Sequence, residues 1–226
     1  MKIVIVNGSP RKNGATAKVL EQILYNLSQY SDVEIKHYHI SDFQLNFCKG
    51  CCKCFESGKC IMDDDIEKLS NQIADADGLI IGSPVYASNV PAQLKLLIDR
   101  GHFVIEQLLK SKTTFAVVTY ENRGGSTALS VIKRLFLFSG SKYTLNLRIK
   151  VQFNDNLLQN EVIIKKLQAG SKHFHDALMS NRTPFSRRVL QTIIFNIGIK
   201  PYVLRKRNRY AGVLNRWREL RIKINI

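Results

Sequence analysis

Residues Lys2–Asn7 read KIVIVN, and the chain passes from them straight into GSPRKNGAT, Gly8–Thr16, before a helix-length periodic segment opens. A short apolar run of this kind, without polar alternation, suits a strand covered on both faces of a parallel sheet. The turn that follows sets a helix N-terminus beyond the strand's carboxyl end. Unpaired N–H groups and the positive end of the helix dipole favour an anion there.

The same alternation recurs outward from this unit. Further candidate strands are Val33–Ile40, Gly78–Gly82, Thr114–Thr119 and Tyr143–Val151, with helical patterns at Thr16–Gln29, Asp64–Ala76, Pro91–Leu109, Ser126–Ser139 and Asn156–Met179. Five β–α units in strict alternation predict a doubly wound α/β fold with a five-stranded parallel sheet and right-handed crossovers. In strand order 2-1-3-4-5, a ligand lies beyond the carboxyl ends of the strands, where the order reverses.

Past Thr183-Pro184 the alternation stops, so the sequence divides at 181 into an α/β unit, 1–181, and a helical extension, 182–226. Phe185, Val189, Ile193 and Ile197 share one helical face before Gly198 and Pro201, which are expected to break the pattern. Tyr210, Val213, Leu214, Trp217 and Leu220 form a second apolar stripe among arginines. The charge is lopsided as well. Of 34 Lys+Arg and 18 Asp+Glu, the extension holds 12 basic residues and one acid, Glu219, which leaves 22 basic and 17 acidic residues in the rest. Two basic amphipathic helices suit either an anionic membrane surface or a subunit interface. Beyond charge they carry no RNA- or DNA-binding signature.

With 226 residues, 45% of them hydrophobic, the chain has enough material for a sizeable core. No stretch approaches the roughly 20 apolar residues that span a bilayer, and Ile3–Val6 is too short for a signal peptide. A cytoplasmic protein is expected.

Three loops converge on one sheet edge. In the first, Ser9 and Thr16 supply hydroxyls, Arg11 a cation and Gly14 a backbone open to an anion; its spacing is neither a Walker A loop nor a GxGxxG fingerprint. The second is SPVYASNVPAQLK from Ser83, where Pro91 suits the opening of a helix. The third is YENRGGS, Tyr120–Ser126, whose paired glycines let backbone pass close to a ligand. Together they suit a planar, phosphorylated cofactor held by backbone contacts.

All five cysteines lie in CKGCCKCFESGKC, Cys48–Cys60. An odd, tightly clustered set is not a disulfide framework but points to metal or redox chemistry. Cys48, Cys51, Cys54 and Cys60 form Cys-x2-Cys-x2-Cys-x5-Cys, with Cys52 left over and expected to point elsewhere. Soft thiolates this close select zinc or an iron–sulfur cluster, and zinc sites more often separate two knuckles by a dozen or more residues. A [4Fe–4S] cluster, zinc and free thiols all remain open. The acidic run Asp63–Asp65 reads as a helix N-cap. His37 with His39, and His173 with His175, lack the i,i+4 spacing of a helical ligand pair.

GSPRKNGAT, GSPVYASNVPAQLKLLIDR and the cysteine segment between them resemble the NADPH-dependent FMN reductase superfamily, and within it the iron–sulfur flavoproteins, over about residues 1–180. The resemblance implies a flavodoxin-like fold. It implies that Ser9, Arg11 and Thr16, with Asn13, Gly14 and Ala15 around them, hold the FMN phosphate. It places Pro84, Val85, Tyr86 and Asn89 along the isoalloxazine, with Asn122, Gly124 and Gly125 on its other side. Ala15 stands where relatives often carry a side-chain amide, so one phosphate hydrogen bond is missing. Cys48, Cys51, Cys54 and Cys60 would be the cluster ligands, and since their segment follows strand two, beside strand one in this order, they are expected to emerge at the same sheet edge as the flavin.

Three functions follow from these features. The first is an oxidoreductase passing electrons from NAD(P)H or a reduced carrier protein, through FMN, to a small acceptor. The second is a pure electron-transfer protein. The third is a basic binding module on an α/β scaffold. A homo-oligomer is expected by resemblance.

Overall fold

The computed structural model describes residues 1–152, 157–180 and 183–223. Five parallel strands form one sheet in the order β2-β1-β3-β4-β5: β1 (Lys2–Asn7), β2 (Glu34–His39), β3 (Gly78–Pro84), β4 (Thr113–Tyr120) and β5 (Tyr143–Lys150). This is the flavodoxin-like sheet that the alternation predicted. The central strands are apolar throughout because both of their faces are covered. Ile3, Ile5, Ile80, Phe115 and Val117 pack under α1 (Ala15–Ser28) and α7 (Glu161–Met179). Val4, Val6, Leu79, Ile81, Ala116 and Val118 pack under α3 (Ile66–Ala74), α4 (Ala92–Arg100) and α6 (Gly125–Phe138). A short α2 (Lys53–Ser57) lies within the cysteine segment. The expected start of the last core helix, Asn156, and the 181/182 division fall outside the described residues.

Two expectations from the sequence are corrected. The pattern Pro91–Leu109 is not one helix but two, α4 and α5 (Phe103–Glu106). The chain turns at Gly101 and at His102, whose φ is 52°. A Cβ on Gly101 would lie 2.2 Å from the Phe103 ring, so only glycine admits that turn. The extension does not break at Gly198 and Pro201 either. It stays helical through α8 (Phe185–Ile193), a π-helical stretch Ile194–Ile199 and α9 (Lys200–Arg205). Proline has no N–H to donate and its ring crowds the carbonyl four residues back. The wider π turn relieves both at Pro201.

The extension is not a loose appendage. Arg187 donates to the Ser141 carbonyl at 3.0 Å and to the hydroxyls of Ser141 and Thr144 at 3.1 Å. Phe195, Val203, Tyr210, Val213, Trp217 and Ile222 build a third apolar core, against which Phe55 and Ile105 pack from the α/β unit. Trp217, in α10 (Ala211–Glu219), is fully buried. One apolar face stays outside: Phe185 is 80% and Ile197 72% exposed. No described helix is long and apolar enough to cross a membrane.

Candidate flavin and cysteine sites

The loops after β1, β3 and β4 meet, as expected, around a cavity of about 220 Å³ at the carboxyl edge of the sheet. Arg11, Asn13, Gly14, Ala15, Pro84 and Val85 line it, all anticipated from sequence. The N-terminus of α1 opens here with Gly14 at its cap, and no side chain caps it. An uncapped N-terminus on a helix of 14 residues leaves N–H groups and a positive dipole end for an anion.

Other anticipated residues stand behind that surface. Ser9 is buried, and its Oγ accepts from the Arg11 N–H at 3.0 Å, which shapes the loop rather than facing the cavity. The Thr16 hydroxyl pairs with Thr119 Oγ1 at 2.7 Å and ties α1 to β4. Asn89 accepts from the Val90 N–H at 2.8 Å within a small bridge to Tyr86, whose ring is half exposed. Asn122 is exposed. Gly124 has φ 85°, and a Cβ there would lie 2.7 Å from Ser88 Cα and 2.8 Å from Val85. The third loop thus closes on the second because position 124 carries no side chain. Gly125 abuts the Tyr120 ring.

Besides Tyr120 and Glu121 of the third loop, the cavity includes Lys18, Thr119, Val151, Gln152 and Leu157, which sequence reasoning missed. Lys18 had a signal, since it lies one helical turn after Gly14. The last three come from the chain after β5, where no motif marks a ligand contact.

The cysteine segment frames a second cavity, of about 380 Å³, bordered by all five cysteines, Met62, the end of α4 and the start of α5. It shares no lining residue with the first. The cysteines were expected at the flavin's edge of the sheet. Instead they pack where α4 ends, one helix length, or about 13 Å, from the loop where it begins. Cys52, expected to point elsewhere, also borders this cavity; its φ is 59° and its Sγ donates to the Gly50 carbonyl at 3.5 Å.

Two cations reach the sulfurs. Arg100 Nη2 donates to Cys60 Sγ at 3.1 Å and Nη1 to the Asn46 carbonyl at 2.9 Å, while Nη1 also pairs with Asp64. Both side chains of that pair are buried, at 1% and 2% exposure. Burial works against ionising Asp64, but the guanidinium and the N–H groups of Asn46 and Ile66 outweigh it and hold its pKa at about 2. The acidic run is therefore only partly a cap: Asp64 also anchors Arg100, and Asp65 accepts from the Gln44 N–H at 2.8 Å. His102 is pushed up to about 10, because hydrogen bonds to Cys54 and Glu106 overcome the cost of burial. Arg100 and His102 both escaped notice in the sequence: Arg100 closes the stretch GSPVYASNVPAQLKLLIDR but was given no role there, and His102 lies just beyond it. Among the described residues, no three His, Cys, Asp or Glu side chains are grouped as one metal ion would require.

Residues 1–146 match the family model described as NADPH-dependent FMN reductase. The chain belongs to that family. Over 222 residues it is 38% identical to an iron–sulfur flavoprotein of Clostridioides difficile, covering 97% of this chain and 98% of that one. It is 36% identical over 140 residues to an iron–sulfur flavoprotein of Methanocaldococcus jannaschii, covering 61% of this chain and 72% of the relative. Among solved structures, an NADH:FMN oxidoreductase in its apo form superposes with a TM-score of 0.61 at 23% identity, over 83% of this chain and 93% of that one. At that identity the likeness concerns the fold. The family makes this chain a flavin oxidoreductase and supports FMN as its cofactor.

Proposed function

We propose that this chain is an FMN-dependent oxidoreductase of the iron–sulfur flavoprotein type, taking electrons from NAD(P)H or a reduced carrier protein and delivering them to a small acceptor. The observation that carries the proposal is the presence, on one chain, of an anion-ready loop cavity and a separate cavity bordered by all five cysteines.

The residues present fit FMN. The uncapped N-terminus of α1 and the Arg11 side chain suit its phosphate. Pro84 and Val85 line the cavity where a flat ring would lie, and Gly124 packs close behind Val85. FMN supplies the redox chemistry; the polypeptide holds and orients it and sets its electrostatics. Lys18 and Arg11 bring positive charge to the cavity lining, which Tyr120 also joins.

The cysteine cavity fits a [4Fe–4S] cluster held by Cys48, Cys51, Cys54 and Cys60. Its volume exceeds what one ion fills, and Arg100 and His102 donate to two of the sulfurs. Hydrogen bonds to ligating sulfurs tune a cluster.

Anaerobic purification with flavin, iron, sulfide and zinc measured on one sample tests both parts. Serine at 48, 51, 54 or 60 is expected to lower iron and sulfide together, and Cys52→Ser to leave them unchanged. Zinc without sulfide refutes the cluster. Flavin without iron after reconstitution leaves a plain flavin reductase with a thiol-rich loop.

A further inference from the structure

No described residue of the extension lines the cysteine cavity, yet the extension holds the backbone between two of the thiols. Between Cys54 and Cys60, the chain presents two contact points to it. Phe55 stacks on the buried Tyr210 ring, with centroids 5.3 Å apart and planes 22° from parallel. Gly58, at φ 80°, meets Gly212 backbone to backbone: a Cβ on Gly212 would lie 2.0 Å from the Gly58 nitrogen. A side chain on Gly212 would collide with that backbone, and one on Gly58 would be strained by its positive φ.

The opposite wall of the cavity is held by the same extension. Trp217, fully buried, donates its indole N–H to the Ile105 carbonyl at 3.0 Å. Arg216 reaches Glu106 at 3.7 Å and Asn71 at 3.1 Å. Ile105 and Glu106 belong to α5, which begins beside His102, the hydrogen-bond partner of Cys54. Phe55 and Ile105 therefore serve two roles. Each borders the cysteine cavity and each packs, partly buried, against the extension's own core.

We propose that the C-terminal extension is a positioning element for the cysteine cavity: Tyr210, Gly212 and Trp217 fix the Cys54–Cys60 span and its facing wall α5 through Phe55, Gly58 and Ile105. The proposal rests on the cluster reading only for what the span positions; the clamp itself is a property of the polypeptide. It also gives the five intervening residues of Cys-x5-Cys a purpose, since they carry both contact points. The basic stripe that the sequence offered to membranes or partners spends its second half on this internal task.

The test uses the full chain, with Tyr210→Ala, Gly212→Ala and the conservative Tyr210→Phe, which keeps the stacked ring and loses only the hydroxyl contact to Tyr202. In iron-free protein, hydrogen exchange of amides 53–58 and 103–106 and iodoacetamide alkylation of Cys54 should accelerate at least tenfold in the first two variants. Tyr210→Phe should behave as wild type. After anaerobic reconstitution, the first two should hold less iron and sulfide per flavin and show an altered electron paramagnetic resonance spectrum of the reduced protein, with FMN content unchanged. Wild-type exchange in Tyr210→Ala and Gly212→Ala would overturn the proposal. So would acceleration spread equally over β1, β3 and β4, because that marks a loss of global stability. If wild-type protein takes up no iron, the cluster reading fails, and the exchange and alkylation results alone judge the clamp.

Discussion

Replacing Arg100 by alanine probes the cysteine cavity at its most constrained point. The guanidinium is 1% exposed and serves three acceptors at once, the Asp64 carboxylate, the Asn46 carbonyl and Cys60 Sγ. Removing it leaves a carboxylate 2% exposed with no countercharge, and lone buried charges of this kind cost about 3–5 kcal/mol. Against typical domain stabilities of about 5–15 kcal/mol, the loss is large. Urea unfolding of iron-free protein at pH 7 should show a midpoint lowered accordingly.

The pH dependence follows from the same pair. Asp64 has its pKa depressed to about 2 in the folded chain, against about 3.9 for an unperturbed aspartate. A depressed carboxylate pKa gives stability that is fully present above the unfolded value and is lost as pH falls through the folded one. The contribution is about 2.5 kcal/mol, fading between roughly pH 4 and pH 2. Arg100→Ala should flatten that part of the acid profile, and Arg100→Met with Asp64→Leu should recover most of the stability at pH 7. A midpoint equivalent to less than about 1 kcal/mol of loss in Arg100→Ala would show that water reaches the pair and that the buried ion-pair argument is wrong.

Arg11→Ala should weaken FMN retention, by about 1.5–3 kcal/mol if a charge-assisted contact is lost; fluorescence titration of flavin into stripped protein measures it, and equal affinity would remove the phosphate from this loop. Gly124→Ala meets both a positive φ and a Cβ placed 2.7 Å from Ser88 Cα, so it should prise the two flavin loops apart and raise the FMN dissociation constant, with the cysteine-cavity variants unaffected in the same assay. The exposed face of α8 and the π stretch is expected to be a subunit seam. Ile193→Asp with Ile197→Asp should reduce the particle size in light scattering, whereas intact assembly with lost binding to anionic vesicles would assign the face to a membrane.

What could be read from the chain followed its periodicities. KIVIVN, GLIIG and TFAVVT announced strands covered on both sides, and those are the strands at the centre of the sheet. The loops after them were found because the carboxyl ends of β1, β3 and β4 must share an edge once the strand order is fixed. Which side chains face the cavity was less readable. Ser9 and Thr16 have the right chemistry, but local geometry spends them on Arg11 N and Thr119 Oγ1. A hydroxyl beside a loop can serve the loop as readily as the ligand, and sequence does not distinguish the two.

The cysteine site shows a different limit. Its ligands announced themselves by spacing, yet everything that places them comes from positions remote in sequence. Arg100 is the last residue of a helix that ends nine residues before the periodicity suggested, because Gly101 and His102 turn the chain. The Cys54–Cys60 span is held by Tyr210 and Gly212, more than 150 residues away. A stripe of apolar residues among arginines reads the same whether it faces lipid, a second subunit or its own chain. Only the contact with Phe55 and Gly58 decides among these for α10. The same sequence signal on α8 remains outside the core, with Phe185 and Ile197 exposed. The two halves of the extension therefore share a composition but not a setting: the second packs against the span between Cys54 and Cys60, and the first keeps an apolar face exposed.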